Sequence, residues 1–231
     1  TLVLSGTGII ASRDVGSNKT VSVGTLTLAD GSNGGLAANY TLSGGTHQLT
    51  VTQRPLNSSG SKAYDANTDA LANAITLSNL AGGETLIHSG TASTSSANAG
   101  SYTINNLAGI GISNGTGTAS NYTLTGGTHS FTINRRVVSL SGGSRQYNGS
   151  ATAIAADLPT INNLVGSETL TLSGNGVVEN ANVGDNKPLT NLSGLTLQNG
   201  SNGGLAANYT LSGGSSICLL YTSDAADDVI S

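Results

Sequence analysis

The sequence has no tryptophan and no methionine, a single phenylalanine and a single cysteine, and only 9% of its 231 residues are charged. Each shortage excludes something. Eight lysines and arginines, scattered nearly singly against twelve acids, offer no basic stripe to neutralise phosphates or dock on anionic lipid, which argues against a nucleic-acid partner. No apolar run approaches the length needed to cross a bilayer, and no charged start leads into an apolar core as in a signal peptide. The missing methionine, at position 1 included, leads us to expect that the natural N-terminus and any export signal lie upstream. The lone Cys218 opens the run Cys218-Leu-Leu-Tyr-Thr-Ser-Asp-Ala-Ala-Asp227, which, in one choice of codons, resembles a translated transposase-type sequencing adapter. We therefore read 216–231 as an assembly artefact. The remainder is cysteine-free, so neither a disulfide framework nor a thiolate metal site is expected.

What the sequence has in abundance is Gly, Ser, Thr and Asn, arranged in repeats. Gly31 to Gly45 recurs without change at Gly200 to Gly214, and a diverged copy runs from Gly115 to Gly127. Tyr64-Asp65 answers to Tyr147-Asn148, Glu84-Thr85-Leu86 to Glu168-Thr169-Leu170, and Gly16, Gly100 and Gly184 stand 84 residues apart. The expected organisation is the C-terminal part of a first repeat (1–54), a complete repeat (55–136), and a third repeat lacking its last strand (137–215).

Within a repeat the patterns are extended. Gln48 to Thr52 and Ser130 to Asn134 alternate apolar and polar residues with the period of a half-buried strand. The Asn-Tyr-Thr-Leu boxes place Tyr40 and Leu42, Tyr122 and Leu124, and Tyr209 and Leu211 on one face, predicted to point inward. Spacings of three and then two (Val23, Leu26, Leu28; Leu107, Ile110, Ile112; Leu192, Leu195, Leu197) predict a β-bulge or short bend at one place in every copy. Six or seven short strands in about 84 residues predict an all-β fold of tandem small antiparallel β-sandwich modules, immunoglobulin-like in plan, with a β-grasp-like sheet as the alternative. The boundaries near Arg54-Pro55 and Arg135-Arg136 carry almost no linker, which predicts a semi-rigid rod.

The succession Tyr-Asp or Tyr-Asn-Gly, Asn-Leu-x-Gly-x-Glu-Thr-Leu, Asn-Tyr-Thr-Leu-x-Gly-Gly-Thr-His and a Thr-Ile or Thr-Val strand resembles the YDG repeat of filamentous-haemagglutinin-like adhesins, exported by two-partner secretion in Gram-negative bacteria. Tyr64 is followed by Asp-Ala and Tyr147 by Asn-Gly, departures that touch turn chemistry. The resemblance implies a secreted, multi-domain protein at the bacterial cell surface, associated with the outer membrane, and transfers no catalytic residue.

The candidate sites each have a plain alternative. His47 and His129 are equivalent, and His88 falls where the other copies have Leu4 and Leu172; no second His or Cys accompanies them at ligand spacing. Gly111-Ile-Ser113-Asn-Gly115 matches the serine-hydrolase elbow, but Asn-Gly reads as a turn and the other copies lack the serine. Glu84 and Glu168 belong to different repeats and read as solvated or turn-capping. Asp30 to Gly34 offers oxygens to calcium, yet Asn199 replaces the Asp in the third copy. Lys19 and Lys187 are equivalent, but the middle copy has Thr103, so no isopeptide crosslink is expected as a general device. Sequons at Asn39, Asn121 and Asn208 permit glycosylation. We expect no catalytic, cofactor or metal residue. Stalk or spacer repeats are the expected function, with neighbouring repeats as partners and host-surface or glycan ligands engaged through other domains. Glycan- or protein-binding modules are the alternative, weakened by the scarcity of exposed aromatics.

Overall fold

A computed structural model describes residues 1–104, 107–141 and 143–211, and the backbone of 217–221. The fold is all-β, with short strands and single 3-10 turns as its only helical pieces among the described residues. No described helix is long and apolar enough to cross a membrane. By contacts the chain divides into two units: one of Thr1–Ser58, Thr76–Gly90 and Ala108–His129, the other of Ser59–Ile75, Thr91–Leu107 and everything from Ser130 on.

In the first unit, Leu2–Ser5 pairs antiparallel with Thr27–Asp30, opposing Leu4 to Leu28. Gly16–Ser22 lies between Ile9–Ile10 and Gln48–Val51, antiparallel to both. Leu86 to Gly90, the first part of the strand Leu86–Ser93, repeat the first pairing with Ile110–Asn114, opposing His88 to Ile112. The predicted spacing irregularity is a tight turn: the Leu26 N–H donates to the Val23 carbonyl at 2.9 Å, and Gly24 takes φ 56°, where a side chain is disfavoured. No residue from 1 to 55 is buried, and Val3, Leu4 and Ile9 are exposed.

In the second unit Leu170–Val178 is central to a larger sheet, pairing antiparallel with Thr152–Ile154, Gly184–Asn191 and Leu195–Asn199. Leu172 opposes Leu197 as Leu4 opposes Leu28. A tight turn stands at the equivalent place, with the Leu195 N–H donating to the Leu192 carbonyl at 2.9 Å. Leu140, Ala153, Leu158, Val178 and Leu195 form a buried cluster, backed by Ile161, Leu172 and Leu189. Phe131 and Ile133, inward residues of the strand His129–Asn134, are also buried. Small aliphatic residues at period two thus make a thin core, each fully buried Leu or Ile contributing about 1.5–3 kcal/mol.

Parallel pairs depart from a purely antiparallel plan. Arg54–Pro55 runs parallel to Tyr122–Thr123, and Arg136–Val137 parallel to Tyr209–Thr210. Each repeat therefore starts by pairing with the Asn-Tyr-Thr-Leu box near its own end. Ser144–Gln146 is also parallel to Ile217–Tyr221, which in turn is antiparallel to Gly184–Asn191. The place of a last strand in the third repeat is thus occupied by backbone from the segment read as adapter; Ser216 and 222–231 of that segment lie outside the described residues.

Candidate functional site

The residues that recur in the repeats converge where one copy meets the next. Asn79 and Asn163 adopt φ 66° and 71°, a left-handed conformation that Asn tolerates. Arg54 donates from Nε to the Asn79 carbonyl and from Nη2 to its Oδ1, both at 2.7 Å, and Asn79 Nδ2 returns a bond to the Pro55 carbonyl at 2.7 Å. Arg136, Asn163 and Val137 repeat the clamp at 2.7–2.8 Å. It fixes the loop that follows, in which Ala81 to Glu84 and Val165 to Glu168 close through i to i+3 hydrogen bonds over Gly82 and Gly166.

That loop delivers a glutamate to the tyrosine of the Asn-Tyr-Thr-Leu box. Tyr122 donates to Glu84 Oε2 at 2.6 Å while accepting the Ala81 N–H at 3.1 Å. Tyr209 donates to Glu168 Oε2 at 2.6 Å while accepting the Val165 N–H at 3.1 Å. The second carboxylate oxygen goes to the preceding repeat: Arg13 pairs with Glu84 at 2.8 Å, and Tyr64 donates to Glu168 Oε1 at 2.7 Å. Tyr64 also meets Tyr209 edge to face, ring centroids 5.4 Å apart.

The asparagine of the same box completes the joint. Asn121 Oδ1 accepts the Val15 N–H at 2.8 Å and its Nδ2 donates to Asp14 at 2.8 Å. Asn208 Oδ1 accepts the Ala99 N–H at 2.8 Å and its Nδ2 donates to Asn98 at 3.0 Å. Val15 and Ala99 stand 84 residues apart, as do Asp14 and Asn98, so one device is used twice.

Electrostatics follow from this packing. Burial, reinforced by the hydrogen bond to Glu168, pushes the Tyr64 and Tyr209 phenols up to about 12. The bond to Glu84, with burial, raises Tyr122. The amide of Asn121 and the hydroxyl of Ser12 hold Asp14 below the ordinary carboxylate value. Burial works against ionisation of Asp65, but Lys62 and the Asn67 N–H outweigh it and lower that group as well. The constellation stabilises phenols and carboxylates where they stand; it assembles no nucleophile with a base.

The other sequence candidates serve the fold locally. His47 Nε2 bonds the Leu42 carbonyl and His129 Nε2 the Leu124 carbonyl, each at 2.8 Å, and His129 Nδ1 meets Ser58 Oγ at 3.0 Å. His88 lies within the strand Leu86–Ser93. Ser113 sits inside the strand Ile110–Asn114 rather than at an elbow. Asp30 accepts the Ala37 N–H at 2.7 Å, a task performed equally by Asn114 for Ala119 at 2.7 Å and Asn199 for Ala206 at 2.8 Å. A neutral amide therefore suffices there. Among the described residues no three His, Cys, Asp or Glu gather as for a metal ion.

Several expectations need correction. Glu84 is not solvated but held between Tyr122 and Arg13. Tyr40, predicted inward with Tyr122 and Tyr209, is 62% exposed. The middle-copy counterpart of Lys19 and Lys187 is Tyr102: Lys19 opposes Leu49, Lys187 opposes Cys218, and Tyr102 opposes Phe131. One-residue bulges at Asn18 and Asn186, with φ 54° and 53°, shift the outer copies by a residue that the middle copy lacks. All three side chains brace the same loop, Lys19 on the Asp14 carbonyl, Tyr102 on Asn98 at 2.7 Å and Lys187 on Asn182 at 2.5 Å. The sequon side chain of Asn208 is buried in its joint, so a glycan there would displace that contact.

Fold and joints together define an all-β protein of tandem repeats held by a recurrent Glu–Tyr–Asn constellation. The YDG domain family matches residues 45–130 and again 134–216, and the chain belongs to that family. No curated protein and no solved structure matches it.

Proposed function

We propose that the chain is a run of structural stalk or spacer repeats from a large secreted or surface-exposed bacterial adhesin of the filamentous-haemagglutinin-like, two-partner-secreted kind, without catalytic activity. The observation that supports this reading is the use of the recurring polar residues. Glu84, Tyr122 and Asn121, and Glu168, Tyr209 and Asn208, are engaged in tying repeat to repeat, so the motif is spent on cohesion. A stalk needs that: contacts repeated down the chain carry a distant binding domain while each repeat touches only its neighbours. A second reading, in which the repeats bind a glycan or host protein, draws on the exposed rings of Tyr40 and Tyr147, since sugars stack on such faces. The purified chain applied to an array of glycans and matrix proteins separates the two. The spacer reading expects no binding above background; reproducible, saturable binding to one sugar class would overturn it.

A further inference from the structure

Between Arg54 and Arg136 the first long strand and the last lie side by side and point the same way. Asn57–Ala63 neighbours His129–Asn134 in one sheet. The Ser58 N–H donates to the Thr128 carbonyl at 2.9 Å, and the Tyr64 N–H to the Asn134 carbonyl at 2.8 Å. Both acceptors stand 70 positions beyond their donors, so the partners advance together and the strands are parallel. The parallel pair of Arg54–Pro55 with Tyr122–Thr123, followed by the bond from the Leu56 N–H to the Thr123 carbonyl at 2.8 Å, keeps the same sense. Side chains reinforce it: Asn57 Oδ1 accepts the Thr128 N–H at 2.9 Å, and Ser58 Oγ meets His129 Nδ1 at 3.0 Å. Leu56, Ser58, Tyr64, His129, Phe131 and Ile133 are buried, which shields these bonds from water. The next copy opens in the same way, with Arg136–Val137 parallel to Tyr209–Thr210 and the Val138 N–H on the Thr210 carbonyl at 2.9 Å.

The chain enters this arrangement through Thr52 and leaves it through Arg135. Tension along the chain therefore draws Asn57–Ala63 by its N-terminal end and His129–Asn134 by its C-terminal end. In parallel neighbours those ends lie at opposite extremes of the pair. The load then runs along the strands and across their hydrogen bonds, which share it. In an antiparallel pair the same two ends would lie together, and the ladder would open one bond at a time. We propose that this pair is a shear lock, and that the repeat is built to bear tension directed from its N-terminus to its C-terminus. Resistance to force is set by the rate of unfolding along the pull and not by the free energy of the fold. A thin core of small aliphatic residues is therefore compatible with a mechanically strong repeat. The lock rests on the pairing alone; its task of carrying tension rests on the stalk reading above.

The test pulls one fold in two directions with optical tweezers. In the full chain carrying Cys218→Ser, thiol-linked handles are placed by Thr52→Cys with Arg135→Cys, or by Ala63→Cys with Arg135→Cys. Thr52, Ala63 and Arg135 are all exposed, so no core is emptied, and circular dichroism checks each fold. The first pair loads the parallel strands from opposite extremes. The second loads both at their C-terminal ends, so the Tyr64 to Asn134 bond opens first and the rest follow in turn. A release of up to about 300 Å of chain, the extended span of 52–135, marks unfolding of this repeat in the first geometry. At one loading rate, the first geometry should need at least about twice the force of the second, because its bonds fail together. Equal forces, or a lower force in the first geometry, would overturn the proposal. Because the glycan array tests the stalk reading separately, a repeat that resists shear yet binds a sugar would sink that reading and uphold the lock.

Discussion

Replacing Tyr64 by Phe removes one oxygen from the Glu168 joint and leaves its aromatic packing in place. The lost hydroxyl donates at 2.7 Å to Glu168, whose other oxygen is held by Tyr209, and both rings are almost wholly buried. Water does not readily replace the bond there. A hydrogen bond to a charged group is worth about 1.5–3 kcal/mol. The edge-to-face contact with Tyr209, worth about 0.5–1.5 kcal/mol, survives the substitution. The expected loss is therefore about 2 kcal/mol. With a urea slope near 2 kcal/mol per M, it lowers the denaturation midpoint by about 1 M. Glu168→Gln keeps one acceptor oxygen for two phenols, and the double variant should fall short of the sum of the two by about 1–2 kcal/mol, the signature of direct coupling. Urea titration followed by circular dichroism provides all four corners of the cycle. A Tyr64→Phe cost below about 0.5 kcal/mol, or zero coupling to Glu168→Gln, would refute the assignment of this joint as a charge-assisted contact.

Two further outcomes follow from the same geometry. Tyr64 and Tyr209 titrate at about 12 in the folded chain against 10 unfolded, so the stability they contribute is complete below pH 10 and is lost as pH rises toward 12; thermal melting across pH 9 to 12 should show a steep fall that Tyr64→Phe makes shallower. A Cβ added at Gly127 would lie 1.7 Å from the Leu56 carbonyl oxygen, within the parallel start of the repeat, so Gly127→Ala should destabilise by at least about 2 kcal/mol, and a melting temperature equal to wild type would contradict the packing described.

Much of this was legible in the residue pattern, and the remainder was not for identifiable reasons. Period-two runs such as Ser130 to Asn134 announce strands because side chains alternate across a pleat, and Phe131 and Ile133 are indeed buried. The three-then-two spacing announced a local irregularity, which is the turn at Val23 to Leu26 and again at Leu192 to Leu195. The joints were invisible because their partners are far apart in sequence: Val15 and Asn121 are separated by 106 positions and Ala99 and Asn208 by 109. No local period encodes such a contact. Glu84 reads as solvated or turn-capping for the same reason, since its partners Arg13 and Tyr122 stand far from it in the sequence. The equivalence of Lys19, Tyr102 and Lys187 was hidden by the bulges, because residue counting assigns Thr103 to a place that the ladder gives to Tyr102. Parallel pairing of Arg54–Pro55 is likewise a tertiary choice, set by the Arg–Asn clamp and not by strand propensity.

The central claim is that Asn121 and Asn208 bind one repeat to the next through a backbone amide. Amide hydrogen exchange of Ala99, followed by NMR in the wild type and in Asn208→Ala, tests it directly, with the amide of Val15 as an internal reference because its partner is Asn121. The account predicts that Asn208→Ala speeds exchange at Ala99 by about tenfold to a hundredfold, the equivalent of one lost buried hydrogen bond, and leaves Val15 unchanged. Equal exchange at Ala99 in both proteins would contradict it.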